Sequence, residues 1–225
     1  MTKDLGIVYL PNKDCREFAK RMTIEAAQAL PNYKEVPNNP HITAIHIANL
    51  DPTGETLVQT AFKEFYHKFS ATCIKLPIKG VNAIGGSKDT GYKWLDLQFE
   101  TLPELAFMRQ DAVDTFCPYH HGILTRMNDD YANFNPAQLE QIAKCGVTYS
   151  PYLPHITVWY VDLPNEAKTS ILQDVAIAMA HETIGLTCYA ESIALVELGR
   201  NGNAINILEQ YPLCLIEEKN NIDEL

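Results

Sequence analysis

Basic residues are scarce in this chain: 18 lysines and arginines stand against 28 aspartates and glutamates in 225 residues, a formal charge of −10. No run of them appears. A long nucleic acid is therefore excluded as a partner, because binding one requires clustered cations that displace its counterions. A short oligonucleotide end or a small phosphate ester, held in a locally positive cleft, stays open. No apolar run reaches the ~20 residues that span a membrane. The opening Met1-Thr2-Lys3-Asp4-Leu5-Gly6 lacks the charged-then-apolar pattern of a secretory leader. The six cysteines form no CxxC pair, so they are expected as reduced, buried thiols in a cytoplasmic protein. The ending Ile222-Asp223-Glu224-Leu225 is read as part of an acidic tail over 217–225 and not as an ER-retention signal.

What is present is a repeat. Pro40-His41-Ile42-Thr43 returns as Pro154-His155-Ile156-Thr157, 114 residues later. Each copy leads through a proline, Pro52 or Pro164, into a helical stretch near 53–69 or 165–181. Each stretch is followed by a Thr-Cys pair, with Cys73 lying 32 residues after the first histidine and Cys188 lying 33 after the second. A strand-like run, a glycine-containing turn and another strand come next in both. Aligned features in this order indicate an ancient duplication.

Hydrophobic content of 46% with 20% charged residues suits one globular unit of two such halves. We expect a single bilobed domain over 1–216, with half-repeats at about 5–92 and 93–212. Phe18, Met22 and Ala26 recur at helical spacing behind the capping-box-like pair Asp14 and Glu17. The same spacing joins Leu57, Ala61, Phe65 and Phe69, and later Ile171, Val175 and Met179. Trp94 to Phe99 reads as a strand and Pro103 to Phe116 as a helix carrying Leu105, Met108 and Ala112 on one side. The expected class is α+β: a duplicated, two-lobed fold with two mainly antiparallel sheets, flanking helices and a central cleft.

On a strand, His41 and Thr43 point to one face, as do His155 and Thr157. If the halves pack about a pseudo-twofold axis, these pairs converge. Two histidines across one phosphate can take a proton from the attacking oxygen and give one to the leaving oxygen. The threonines would donate to the non-bridging oxygens. By the same parity Trp159 shares the face of His155 and is a candidate to stack a base, with Tyr152 a weaker one. His46 falls on the face opposite His41 and reads as structural. Arg126 is a candidate substrate-binding cation, with Lys93 and Arg200 behind it.

Two His-x-Thr motifs, each behind a proline and one per half of a duplicated α+β chain, closely resemble those of the 2H phosphoesterase superfamily, which includes 2′-5′ RNA ligase-like proteins and cyclic phosphodiesterases. The resemblance spans roughly residues 5 to 212. It implies a metal-independent enzyme acting on 2′,3′-cyclic phosphates or 2′-5′ phosphodiester bonds, with His155 as the base toward water and His41 as the acid, an assignment the near-symmetry of the halves could reverse. Many ligase-like members carry an arginine four residues after the second histidine, where this chain has Trp159.

The spacing between motifs is long for that group, and the surplus lies at about 117–150. Cys117-Pro118-Tyr119-His120-His121-Gly122, Arg126 and Asn128-Asp129-Asp130 make this insertion turn-rich and polar, as a specificity loop or an inert surface insertion would be. Adjacent histidines such as His120-His121 seldom ligate one metal together. The expectation is therefore a monomeric phosphodiesterase with no metal and no cofactor, acting on a small nucleotide or short oligonucleotide. A binding module with the same groove, or a histidine–metal hydrolase, would have to be told apart from it by experiment.

Overall fold

The computed structural model describes residues 2–31, 39–84, 94–124, 134–149, 151–160, 169–199 and 202–213. Arg126, Lys93, Arg200 and the tail at 217–225 lie outside the described residues. In chain order the elements are β1 (Lys3–Pro11), α1 (Lys13–Ala29), β2 (Ile42–Leu50), α2 (Pro52–Phe69), β3 (Ile74–Lys75), β4 (Ile78–Ile84), β5 (Trp94–Phe99), α3 (Pro103–Phe116), α4 (Pro136–Cys145), β6 (His155–Tyr160), α5 (Thr169–Ala180), β7 (Tyr189–Leu198) and β8 (Ala204–Pro212). This is the expected α+β arrangement. One sheet runs β2-β1-β7-β3, with β8 also on β7, and the other runs β4-β5-β6. Every pairing described is antiparallel.

The sheets do not follow the two sequence halves. β1 and β2 take β7 as their third strand, while β5 and β6 take β4, so each sheet borrows a strand from the other half. The two sets still correspond: β1, β2 and β7 match β5, β6 and β4. The helices cross over likewise. α3 packs on β2 and α1 on β6. An exchange of this kind locks both lobes together, because neither sheet is complete without the distant half.

Local sequence accounts for the elements. Pro52 and Pro103 sit in the first turns of α2 and α3, where a missing N–H loses no bond. Asp51 caps α2 by accepting from Gly54 N at 2.7 Å. The apolar faces go inward: Phe18 and Met22 from α1, Phe62 and Phe65 from α2, and Leu105, Met108 and Phe116 from α3 are all buried. Each such side chain contributes about 1.5–3 kcal/mol on burial. Leu57 is 52% exposed and its neighbour Val58 is buried instead, so the stripe on α2 lies one residue from where the spacing placed its start.

The insertion at 117–150 contains a helix that its turn-rich start did not announce. Asn135 and Gln138 form a reciprocal capping box at the start of α4. Gly146 ends it at φ 71°, in the left-handed region, and a Cβ there would lie 2.4 Å from Gly122 O. His121 N donates to Ala48 O at 3.0 Å, and Asn49 Nδ2 to Ile123 O at 2.8 Å, so the segment is docked against the end of β2.

The cysteine expectation is corrected here. Cys117 and Cys145 are disulfide-bonded, tying the end of α3 to the end of α4, and Cys73 is disulfide-bonded as well. Only Cys15 and Cys188, both buried, are free thiols among the described residues. Nothing local marks Cys117 and Cys145 as partners, since they meet only because α4 folds back on α3.

Candidate functional site

Each histidine is held by its own backbone. His41 Nδ1 lies 2.7 Å from Asn39 O and His155 Nδ1 lies 2.7 Å from Leu153 O, the carbonyl two residues earlier in both. The intervening prolines restrict residues 39 and 153 to extended backbone, which aims those carbonyls at the rings. A carbonyl only accepts, so Nδ1 carries a hydrogen in both rings. In the neutral rings Nε2 then holds the lone pair.

His41, Thr43, His155 and Thr157 all line one cavity of about 470 Å³ between the sheets. Its wall also includes Trp94, Asp96 and Gln98 from β5, Arg109 from α3, and Gln138, Tyr149 and Tyr152 from the insertion and the loop after it. The insertion thus reaches the cleft.

Matching β-bulges shape both motifs. In the first sheet Ile7 faces Ile45 and Val8 faces Thr43, so Ala44 is the extra residue. In the second, Leu95 faces Trp159 and Asp96 faces Thr157, so Val158 is extra. A bulge reverses the alternation beyond it, and this corrects two expectations. His46, opposite Gly6, comes round to the face of Thr43, with Nε2 3.4 Å from Thr43 Oγ1, and lines the cavity. The missing Cβ of Gly6 leaves room chiefly for Leu198 and Val196: it would lie 3.1 and 3.3 Å from them, and it would meet His46 Cδ2 at an ordinary 3.5 Å. Trp159, by contrast, turns away from His155 and Thr157. It is 2% exposed and takes the place that Ile45 has in the first half, and like Ile45 it still contributes to the cavity lining. Tyr152 does line the cavity, with its hydroxyl buried.

Several residues of the site went unread in the sequence, among them Arg109, Gln98 and the β5 pair Trp94 and Asp96. The pair alternates on β5, and Asp96 stands opposite Thr157 where Val8 stands opposite Thr43. Trp94 is the half-buried indole in the cleft. Asp96 is buried, and its Oδ2 lies 4.0 Å from His155 Nε2, a charge contact too long for a hydrogen bond. Burial pushes its carboxyl above the usual range, while His155 and a hydrogen bond from Thr157 pull it part of the way back.

The raised pKa has a stability consequence. A carboxyl whose folded pKa exceeds its unfolded value of ~3.9 destabilises the fold as pH rises from about 4 through the folded value. Asp96→Asn should therefore raise the melting temperature at pH 7 relative to the parent, with the gain vanishing below about pH 4, as melting curves across pH would show. An unchanged difference at both pH values would contradict it.

No family model and no curated protein matches the sequence. Solved structures do. TT0787 of Thermus thermophilus aligns over 95% of this chain and 98% of its own, at 15% identity and a TM-score of 0.52. E. coli LigT complexed with ATP aligns over 95% and 99%, at 12% identity and a TM-score of 0.49. The complex of E. coli LigT with 3′-AMP gives 13% and 0.46 over 95% and 99%. The likeness to TT0787 shows a shared fold, and the bilobed α+β architecture is the one that the 2H resemblance implies.

Proposed function

We propose that this protein is a metal-independent phosphodiesterase of the 2H type, cleaving a phosphodiester of a small nucleotide or short oligonucleotide. The observation that carries the reading is the pair of imidazoles, each fixed through Nδ1 by a carbonyl two residues earlier and each beside a threonine on the wall of one cavity. In the reaction a water oxygen bonds to phosphorus and the bond from phosphorus to the leaving oxygen breaks. One imidazole Nε2 takes the water's proton and the other, protonated, gives one to the leaving oxygen. Thr43 and Thr157 donate to the non-bridging oxygens as negative charge builds there.

Asp96 distinguishes the two histidines. When His155 takes a proton it gains a counter-charge from Asp96, whereas the position matching Asp96 in the first half is Val8. We therefore read His155 as the base toward water and His41 as the acid. Asp96→Asn should lower kcat by roughly tenfold, the effect of a neighbour that tunes a base and does not replace it. Trp94 is the ring we assign to stacking a base.

The test is turnover of a panel of 2′,3′-cyclic, 3′,5′-cyclic and 2′-5′ linked nucleotides, with and without chelator. Hydrolysis of at least one class, unchanged by chelator, is expected. Binding without turnover would make the protein a recognition module, and activity lost to chelator and restored by a divalent ion would replace the two-histidine scheme with a metal one. The Cys117–Cys145 bond removes the cysteine argument for a cytoplasmic location and fits an oxidising compartment. No helix of the described residues is long and apolar enough to cross a membrane.

A further inference from the structure

Arg109 is a charged residue on the buried face of α3, among Leu105, Met108, Ala112, Val113 and Phe116. It is 7% exposed, its Nε is buried with no hydrogen-bond partner, and no carboxylate pairs with it among the described residues. Asp111, two residues on, is engaged by Lys68. What surrounds the guanidinium is aromatic: its carbon lies 5.5 Å from the ring centre of Tyr149 and 5.2 Å from that of Tyr152. The hydroxyls of Tyr152 and of nearby Tyr9 are also buried without partners. A cation taken out of water without a counter-ion is a strong liability, which ring faces offset only in part. Arg109, Tyr149 and Tyr152 nevertheless all line the cavity that holds the histidines. The disulfide between Cys117 and Cys145 steadies the arrangement, since α3 carries Arg109 and the segment after α4 carries Tyr149.

We propose that Arg109 and the Tyr152 hydroxyl form a second anion subsite, which takes a phosphate of the substrate other than the one between the histidines. The inference rests on the function proposed above and narrows its substrate class to nucleotides carrying a further phosphate. The guanidinium reaches the cavity from α3, whereas the imidazoles reach it at the starts of β2 and β6, so the two subsites draw on different parts of its wall. An anion here supplies the missing counter-charge and gives the guanidinium and the phenol an acceptor.

The test is calorimetric binding of adenosine 2′-monophosphate and adenosine 2′,5′-bisphosphate, neither of which needs to be turned over. The parent protein should bind the bisphosphate about tenfold tighter or more, the scale of one charge-assisted contact. Arg109→Gln should bring that ratio close to 1, and Arg109→Lys should keep part of it. Without ligand, Arg109→Gln should melt no lower than the parent, because an unpaired buried charge has gone. Equal binding of the two nucleotides by the parent overturns the subsite. So does an Arg109→Gln protein that loses affinity for both nucleotides alike, which would place Arg109 on the same phosphate as the histidines, and so does one that melts well below the parent, which would make the residue a structural clamp. Tyr152→Phe, which keeps the guanidinium, should lower the ratio as well, and an unchanged ratio in it would remove the hydroxyl from the subsite. Failure of the reaction itself is read separately, from the turnover panel.

Discussion

His41→Ala and His155→Ala should each lower turnover of the responsive substrate by about 10²-fold or more, the scale of losing one acid or base at a phosphoryl centre. Both proteins should still fold. Neither ring supports a strand: each sits at the mouth of β2 or β6, bonded through Nδ1 to a carbonyl on its own approach segment. Because the two rings act on one phosphate, the double variant should be scarcely slower than the worse single variant. Thr43→Val and Thr157→Val should be milder, as each removes one neutral donor among several. The pH profile of kcat/KM should be bell-shaped, since one ring must start neutral and the other protonated, and its two apparent pKa values belong to the pair. Full activity in either histidine variant would remove that residue from the mechanism.

The largest effect on stability is expected from the insertion. The Cys117–Cys145 bond closes a loop of 28 residues, for which the chain-entropy relation gives about 3–4 kcal/mol. In a protein of this size that corresponds to a fall in melting temperature on the order of 10 °C. Cys117→Ser with Cys145→Ser should produce it. Activity should suffer too, well below the melting range, because the bond fixes the segment that brings Gln138 and Tyr149 to the cleft wall. A double variant as stable and as active as the parent would show that the insertion is held by α4 packing and its backbone bonds to β2 alone.

How far the sequence could be read depends on which physical signal each feature leaves. Helix faces repeat every three to four residues and survive in the string, so Phe18, Met22 and Ala26, or Leu105, Met108 and Ala112, were recognisable as core. The two His-x-Thr pairs were legible because His and Thr lie on the regular side of their bulges. Beyond the bulges parity failed: Ala44 and Val158 each add a residue, so His46 came round to the face of Thr43 and Trp159 went to the face opposite Thr157, against the simple alternation, although both line the cavity. Asp96 and Trp94 were missed for another reason. They stand across a ladder from Thr157 and Tyr160, and only the register of β5 on β6 tells which residue faces which. The start of α1 went astray at its cap. Asp14 and Glu17 suggested a box, but Asn12 precedes the helix and its side chain bonds Thr187 O and Tyr189 N on the far half of the chain. The exchange of β4 and β7 between the sheets has no local signature at all.

The account turns on two histidines that move protons in opposite directions at one phosphorus, and a change of leaving group tests that directly. With a nucleoside 3′-(4-nitrophenyl phosphate), the departing phenolate needs no acid, so the rate no longer depends on the residue that protonates it. His41→Ala should recover most of its lost rate on this substrate, while His155→Ala, lacking the base toward water, stays slow. Recovery of neither would contradict the acid–base scheme and leave both rings as phosphate binders. Recovery of His155→Ala alone would exchange the two roles and contradict the part assigned to Asp96.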